Sequence, residues 1–95
     1  MKKTPETKGE FLDEAKVLVE GDRAQTYGDF EELHEKVARL WSVALGIHVR
    51  TDQVLMCLDL LKMGRKIMNP EHLDNYVDSM GYNSLSAEYV VRKTR

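Results

Sequence analysis

Cysteine is nearly absent from this 95-residue chain, which has Cys57 alone. A single thiol cannot close an internal disulfide, so the sequence fits a reducing cytoplasm. Proline occurs only at Pro5 and Pro70, leaving long stretches of helix formers unbroken. No apolar run nears the roughly 20 residues of a membrane-spanning helix. No apolar segment follows the lysines of MKKTPETKGE to make a leader. A basic excess is also missing. Lys and Arg number 14 against 16 Asp and Glu, a net charge of −2, so no overall field draws the chain to nucleic acid. There is no glycine-rich phosphate loop, no Cys/His zinc spacing and no G-x-S-x-G nucleophile turn.

What is present is 42% apolar and 32% charged residues, a balance that folds rather than stays disordered. The length suits one small domain. The expected class is all-α, a four-helix bundle, with an arm over residues 1–8, one helical domain over 9–91 and a basic tail over 92–95. Thr7 and Glu10 form a capping-box pattern that starts a first helix ending near Glu20 and Gly21. The loop 21–29 follows, with Arg23 and Tyr27-Gly28. It reads either as a turn with a packed tyrosine or as a substrate lid carrying an arginine.

Asp29 and Glu32 start a second helix, about Phe30 to Leu45, stopped by Gly46. Its apolar stripe is Phe30, Leu33, Val37, Leu40, Trp41 and Ala44. Glu32–Lys36 and Glu35–Arg39 are i,i+4 pairs on the opposite, solvated side. His34 falls inside the stripe and Glu31 on its border, so Glu31-x-x-His34 can face inward. His34 is then either a satisfied core histidine or a ligand.

Thr51 is the expected N-cap of a third helix, about Asp52 to Met68, which is apolar nearly all round. Such a helix sits at the centre of a bundle or in an oligomer interface. Met56, Met63 and Met68 read as core filler, and Cys57 as buried. Asp59, Lys62 and Lys66 share one narrow sector beside Arg65. Either the cations snorkel outward and pair with Asp59, or Lys62 and Arg65 grip phosphate.

Asn69-Pro70 caps a fourth helix running to about Val91. One stripe holds Leu73, Tyr76, Val77, Met80, Ser84, Ala87 and Val91. A second holds Asn75, Asp78, Tyr82, Leu85 and Tyr89, with Asp74 beside it. A helix that buries two sides leaves one for a dimer contact or a site. Gly81 inside it costs roughly 1 kcal/mol against alanine, which close packing against a neighbour would explain.

Polar residues on inward or border positions suggest one chemistry. Hard oxygen ligands on facing helices hold Mg²⁺ against a polyphosphate. The candidate ligands are Glu31, His34, Asn75, Asp78 and Asp74, with Asn75-x-x-Asp78 one turn apart. Lys62 and Arg65, with Arg23 and Tyr82, would bind the substrate.

The segments TYGDFEELHEKVARLWS and LMCLDLLKMGRKIMNPEHLDNYVDSMGYNSLSAEYV resemble a small helical family found mostly in bacteriophage genomes, of unassigned function. The likeness spans about residues 11–91. It is carried by Tyr27-Gly28-Asp29, Leu40-Trp41, Leu61-Lys62 with Arg65, and Asp74, Asp78 and Gly81-Tyr82. More distantly, the layout resembles the MazG-like all-α nucleoside triphosphate pyrophosphohydrolases. These hold Mg²⁺ with ExxE on one helix and ExxD on a later one, and work as dimers or tetramers. Asn75-x-x-Asp78 matches the second motif with asparagine in place of its first acid. Glu31-x-x-His34 on the inward side, or Glu32-x-x-Glu35 on the outward side, stands where the first motif would.

The expectation is a Mg²⁺-dependent (d)NTP pyrophosphohydrolase or nucleotide-binding protein, with Glu31 and Asp78 as first catalytic candidates. It would assemble as a dimer or tetramer through the third and fourth helices, in the host cytoplasm if phage-encoded. The alternative is a non-catalytic phage accessory protein that binds a host protein or sequesters a nucleotide signal.

Overall fold

The computed structural model describes residues 4–21 and 30–95, and among these the chain is all-helical. Four helices follow one another: α1 Lys8–Glu20, α2 Phe30–Leu45, α3 Thr51–Met68 and α4 Asp74–Thr94. The loop with Arg23, Tyr27-Gly28 and Asp29 lies outside the described residues, and with it the proposed cap of α2.

The start of α1 follows its sequence pattern. The Glu10 N–H donates to Thr7 Oγ1 at 3.2 Å, and the Thr7 N–H donates back to the Glu10 carboxylate at 3.1 Å. Gly46, at φ +69°, ends α2 in the left-handed region that favours glycine. The connector after it is tied back onto α2, because Ser42 Oγ donates to the Ala38 carbonyl and accepts from the Val49 N–H, each at 2.8 Å. This places Val49 beside Ala38 and Val54 in a small apolar core flanked by Val37, Trp41 and Leu58. Burying Val54 completely contributes about 1.5–3 kcal/mol.

Two helix starts differ from expectation. Arg50, not Thr51, holds the cap position of α3, because the Arg50 N–H donates to the Gln53 carboxamide at 2.9 Å. Thr51 becomes the first helical residue and is buried. The α4 helix begins at Asp74 rather than at Pro70. Between them the chain makes tighter turns, with the His72 N–H donating to the Asn69 carbonyl at 3.2 Å. Tyr76 Oη donates to the Pro70 carbonyl at 3.0 Å and pins that turn to α4.

The packing of α4 organises the rest. It lies most extensively along α3 and also against α1, while α2 packs on α3. Its contact with α3 includes a run of polar pairs. Lys62 Nζ stands 2.8 Å from the Asp78 carboxylate, with both side chains mostly covered. Ser79 Oγ donates to Asp59, and the Asn83 amide donates to the other Asp59 oxygen at 3.2 Å. Lys66 Nζ sits 5.3 Å from the centre of the Tyr76 ring, a cation–π contact. Asp59 is thus held by Ser79 and Asn83, while Lys62 pairs with Asp78.

With the polar sector of α3 turned to α4, its apolar arc turns outward. Met56, Met63 and Met68 are exposed, which corrects their reading as core filler, and Cys57 is exposed rather than buried. The first stripe of α4 also fails at its C-terminal end, where Ser84, Ala87 and Val91 are exposed. No helix of the described residues is long and apolar enough to cross a membrane.

Gly81 is explained as the sequence suggested. A Cβ there would stand 3.4 Å from Val19 Cγ1 and 3.5 Å from Leu18 Cδ2, so the glycine lets α1 lie close on α4. We expect Gly81→Ala to be near neutral, because the helix gain of about 1 kcal/mol offsets the tight contact. Gly81→Val should lower unfolding free energy by roughly 1–3 kcal/mol through overpacking. Urea titration followed by circular dichroism checks both.

Candidate functional site

Two adjoining cavities open between α1, α2 and α4, the first of them also walled by α3. The first, about 320 Å³, is lined by Val19, Phe30, Glu31, His34, Thr51, Leu55, Leu85, Glu88, Tyr89 and Arg92. The second, about 290 Å³, shares Val19, Phe30, His34 and Leu85 and adds Leu18, Leu33, Asp78, Gly81 and Tyr82. The sharing follows from the first turn of α2, which sets the Phe30 and His34 rings stacked at 6.1 Å and 13°.

His34 is buried, as its place in the apolar stripe indicated. Its Nδ1 lies 2.6 Å from the Phe30 carbonyl oxygen, which can only accept. Nδ1 therefore carries the hydrogen, and in the neutral ring Nε2 keeps its lone pair. A polar ring edge in an apolar cavity suits a ligand donor, a metal or a proton.

Glu31 lines the first cavity beside two cations of α4. Arg92 Nη1 is 2.8 Å away and Lys93 Nζ 3.4 Å away. The hydrogen bond from Arg92 holds the Glu31 carboxyl below its ordinary range, aided by Lys93 and opposed by partial burial. Lys93 is raised in turn, first by Glu31 and then by Glu35, whose carboxylate is 3.6 Å away. Glu35 thus pairs with α4 rather than with Arg39, which corrects that i,i+4 expectation. Glu32–Lys36 does form, at 3.2 Å. Arg92 also reaches Glu88 at 2.7 Å.

The structure brings together some of the expected residues and separates others. Glu31 and His34 share the first cavity; His34, Asp78 and Tyr82 share the second. Asn75, although one turn from Asp78, lines a different groove with Leu60, Leu61, Gly64, Arg65, Met68, Asn69 and His72. Arg65 is there too, apart from Lys62, so the two do not make one phosphate grip. Asp74 is exposed at the start of α4, and Arg23 lies outside the described residues.

Among the described residues no three His, Cys, Asp or Glu side chains group to hold a metal ion. The charge of Glu31 is met by Arg92 and Lys93, and that of Asp78 by Lys62. This donor set does not fit a preformed magnesium site.

The residues missed by sequence reasoning are Arg92 and Lys93, taken there for part of a basic tail, and Tyr89 as a cavity wall. The available signal was the acidic start of α2, Glu31-Glu32 and Glu35, which needed a basic partner from elsewhere in the chain.

Comparison with known proteins places the chain. The model of a domain of unknown function, DUF6378, matches residues 10–90. The chain belongs to this family. It is similar to the gene 55 protein of Mycobacterium phage L5, 39% identical over 73 residues. That match covers 76% of this chain and 47% of the phage protein, so the chain spans about half the length of the relative. No solved structure matches.

Because the folded Glu31 carboxyl is depressed, its contribution is present above the ordinary carboxyl value of 4.5 and is lost as pH falls through the lower folded value. We expect Glu31→Gln to lower stability at pH 6–8 and to converge on the wild type as pH falls below about 4.5, which flattens the acid limb of the stability-against-pH curve. Asp78→Asn should cost more at neutral pH, roughly 1–3 kcal/mol, since it leaves Lys62 half-buried and unpaired. Chemical denaturation across pH measures both.

Proposed function

We propose that this protein binds a nucleotide in the paired cavities between α1, α2 and α4. One observation carries the reading: stacked Phe30 and His34, with Tyr82 and Tyr89 nearby, share an apolar space whose rim holds Arg92, with Lys93 beside it. A nucleobase gains from aromatic faces, and its phosphates gain from a guanidinium that presents parallel donors. His34 Nε2 can accept from an exocyclic amine or donate when protonated. Phosphate would compete with Glu31 for Arg92 and Lys93, so ligand binding exchanges one set of ion pairs for another.

The distant likeness to pyrophosphohydrolases suggests release of a nucleoside monophosphate and pyrophosphate, with Mg²⁺ and the carboxylates of Glu31 and Asp78. The described donor set lacks a preformed metal group, so binding without turnover, as a nucleotide-sequestering protein, is the reading the geometry supports best. Self-association is part of it, as a dimer or tetramer through α3 and α4, because large apolar side chains on α3 stand uncovered.

Titration calorimetry with a panel of dNTPs and NTPs, in Mg²⁺ and in EDTA, tests the proposal. Binding of at least one nucleotide is expected, with Arg92→Ala weakening it about tenfold or more, the worth of one charge-assisted hydrogen bond. Absence of binding at millimolar nucleotide overturns it. Pyrophosphate release that is abolished in Asp78→Ala would replace sequestration by hydrolysis.

A further inference from the structure

We propose that the outward face of α3 pairs with α3 of a second copy, in antiparallel orientation, through Gln53, Met56, Leu60, Met63 and Ile67. This deepens the self-association in the reading above and does not depend on nucleotide binding. The five residues recur at spacings of three and four, the pattern by which two helices interlock their side chains. Met56, Leu60 and Met63 are about half exposed and Ile67 is 76% exposed, although each is a large apolar side chain at a regular helical position. Cys57, Leu61 and Met68 widen the strip.

The occupant follows from charge and area. By the helical wheel the strip spans a roughly 160° arc with no charged residue in it. The same face on two copies therefore meets without like-charge repulsion, as a two-fold interface requires. Six large apolar side chains, Met56, Leu60, Leu61, Met63, Ile67 and Met68, stand about half or more exposed along it, the kind of continuous apolar surface that the ~800 Å² per partner of a standard interface is built from. Ordinary monomers leave smaller patches bare. Beside the strip Gly64 opens on empty space, with no atom within 4 Å of where its Cβ would stand, so a neighbouring helix can approach closely.

Two amides select the orientation. Antiparallel pairing sets Leu60 on the partner's Met63 and Met56 on the partner's Ile67. It then carries Gln53 to the turn that follows the partner helix. That turn holds the groove lined by Arg65, His72 and Asn75, among others. Asn75 is only 3% exposed overall and lines this groove. Gln53 uses its carbonyl on the Arg50 N–H and keeps its amide hydrogens to donate. A parallel pair would set Gln53 on the Gln53 of the second copy and away from this groove. Antiparallel packing also opposes the two helix dipoles.

Sedimentation velocity on the full chain supplies the first test. The expected result is an assembly of at least two copies, reduced by Leu60→Glu, while the exposed Leu12→Glu on α1 leaves it intact. Circular dichroism confirms that both variants keep their helix. A monomeric wild type at tens of micromolar overturns self-association and this interface together. An assembly indifferent to Leu60→Glu overturns this interface alone, and nucleotide titration of the same samples reports separately on the cavity.

Orientation is read by crosslinking in a Cys57→Ser background. Mixed Leu60→Cys and Met63→Cys chains should form a disulfide between unlike copies faster than either forms one alone. Faster crosslinking of Leu60→Cys with itself would mean a parallel pair and would overturn the proposed register.

Discussion

The contact that sets the rest of this structure is the polar seam between α3 and α4. Lys62 meets Asp78, and Asp59 meets Ser79 and Asn83, all between the two helices, with the Asn83 end of the seam open to solvent. A half-buried charge is tolerable only with a partner, so each of these groups makes the other helix necessary. Lys66 over Tyr76 extends the seam to the turn. Once both helices spend their polar sectors on each other, the apolar arc of α3 has one direction left, away from α4. The small core of Ala38, Val49 and Val54 lies at the other end of the same helix, where α2 returns. A single constraint thus gives α3 an inner face of paired charge and an outer face of methionine and leucine.

That inversion explains which parts of the fold could be read in the sequence. Local rules worked where they act locally. Thr7 with Glu10 began α1, Gly46 ended α2, His34 fell in the apolar stripe and is buried, and Gly81 marks the close approach of α1. The same logic failed on Met56, Met63, Met68 and Cys57, because periodicity gives a face and not its direction. An apolar arc is assumed to turn inward unless something else claims the inside, and here matched polar sectors claim it. The start of α4 was missed for a related reason. Asn-Pro is a strong start signal, yet the hydrogen bond from Tyr76 to the Pro70 carbonyl holds those residues in a turn.

The candidate site was legible in composition and not in grouping. Helix spacing of three puts Asn75 and Asp78 on one side, but the side is broad. Asp78 ends at the cavity beside Tyr82, whereas Asn75 ends at the groove beside Arg65. Glu31 and His34 reach the same cavity because both belong to the first turns of one helix. Arg92 and Lys93 could not be assigned from spacing at all, since they come to Glu31 from 61 and 62 residues away in the chain. Long-range ion pairs leave no periodic trace, only an acidic stretch and a basic stretch in need of each other.

The cavity and the outer face of α3 are linked by geometry even though their residues differ. Thr51 and Leu55 line the first cavity from the inner side of α3, one turn apart. Gln53 and Met56 lie on the outer side of the same two turns. A helix fixed on one face by a second copy holds its other face in place, because a packed helix moves as a rigid rod and not residue by residue. The cations at the opposite wall come from the end of α4, a helix anchored to α3 by Lys62 and Asp78 at its start. Both walls of the cavity therefore trace back to α3. The proposed assembly through α3 would set the spacing of His34 from Arg92 without touching either.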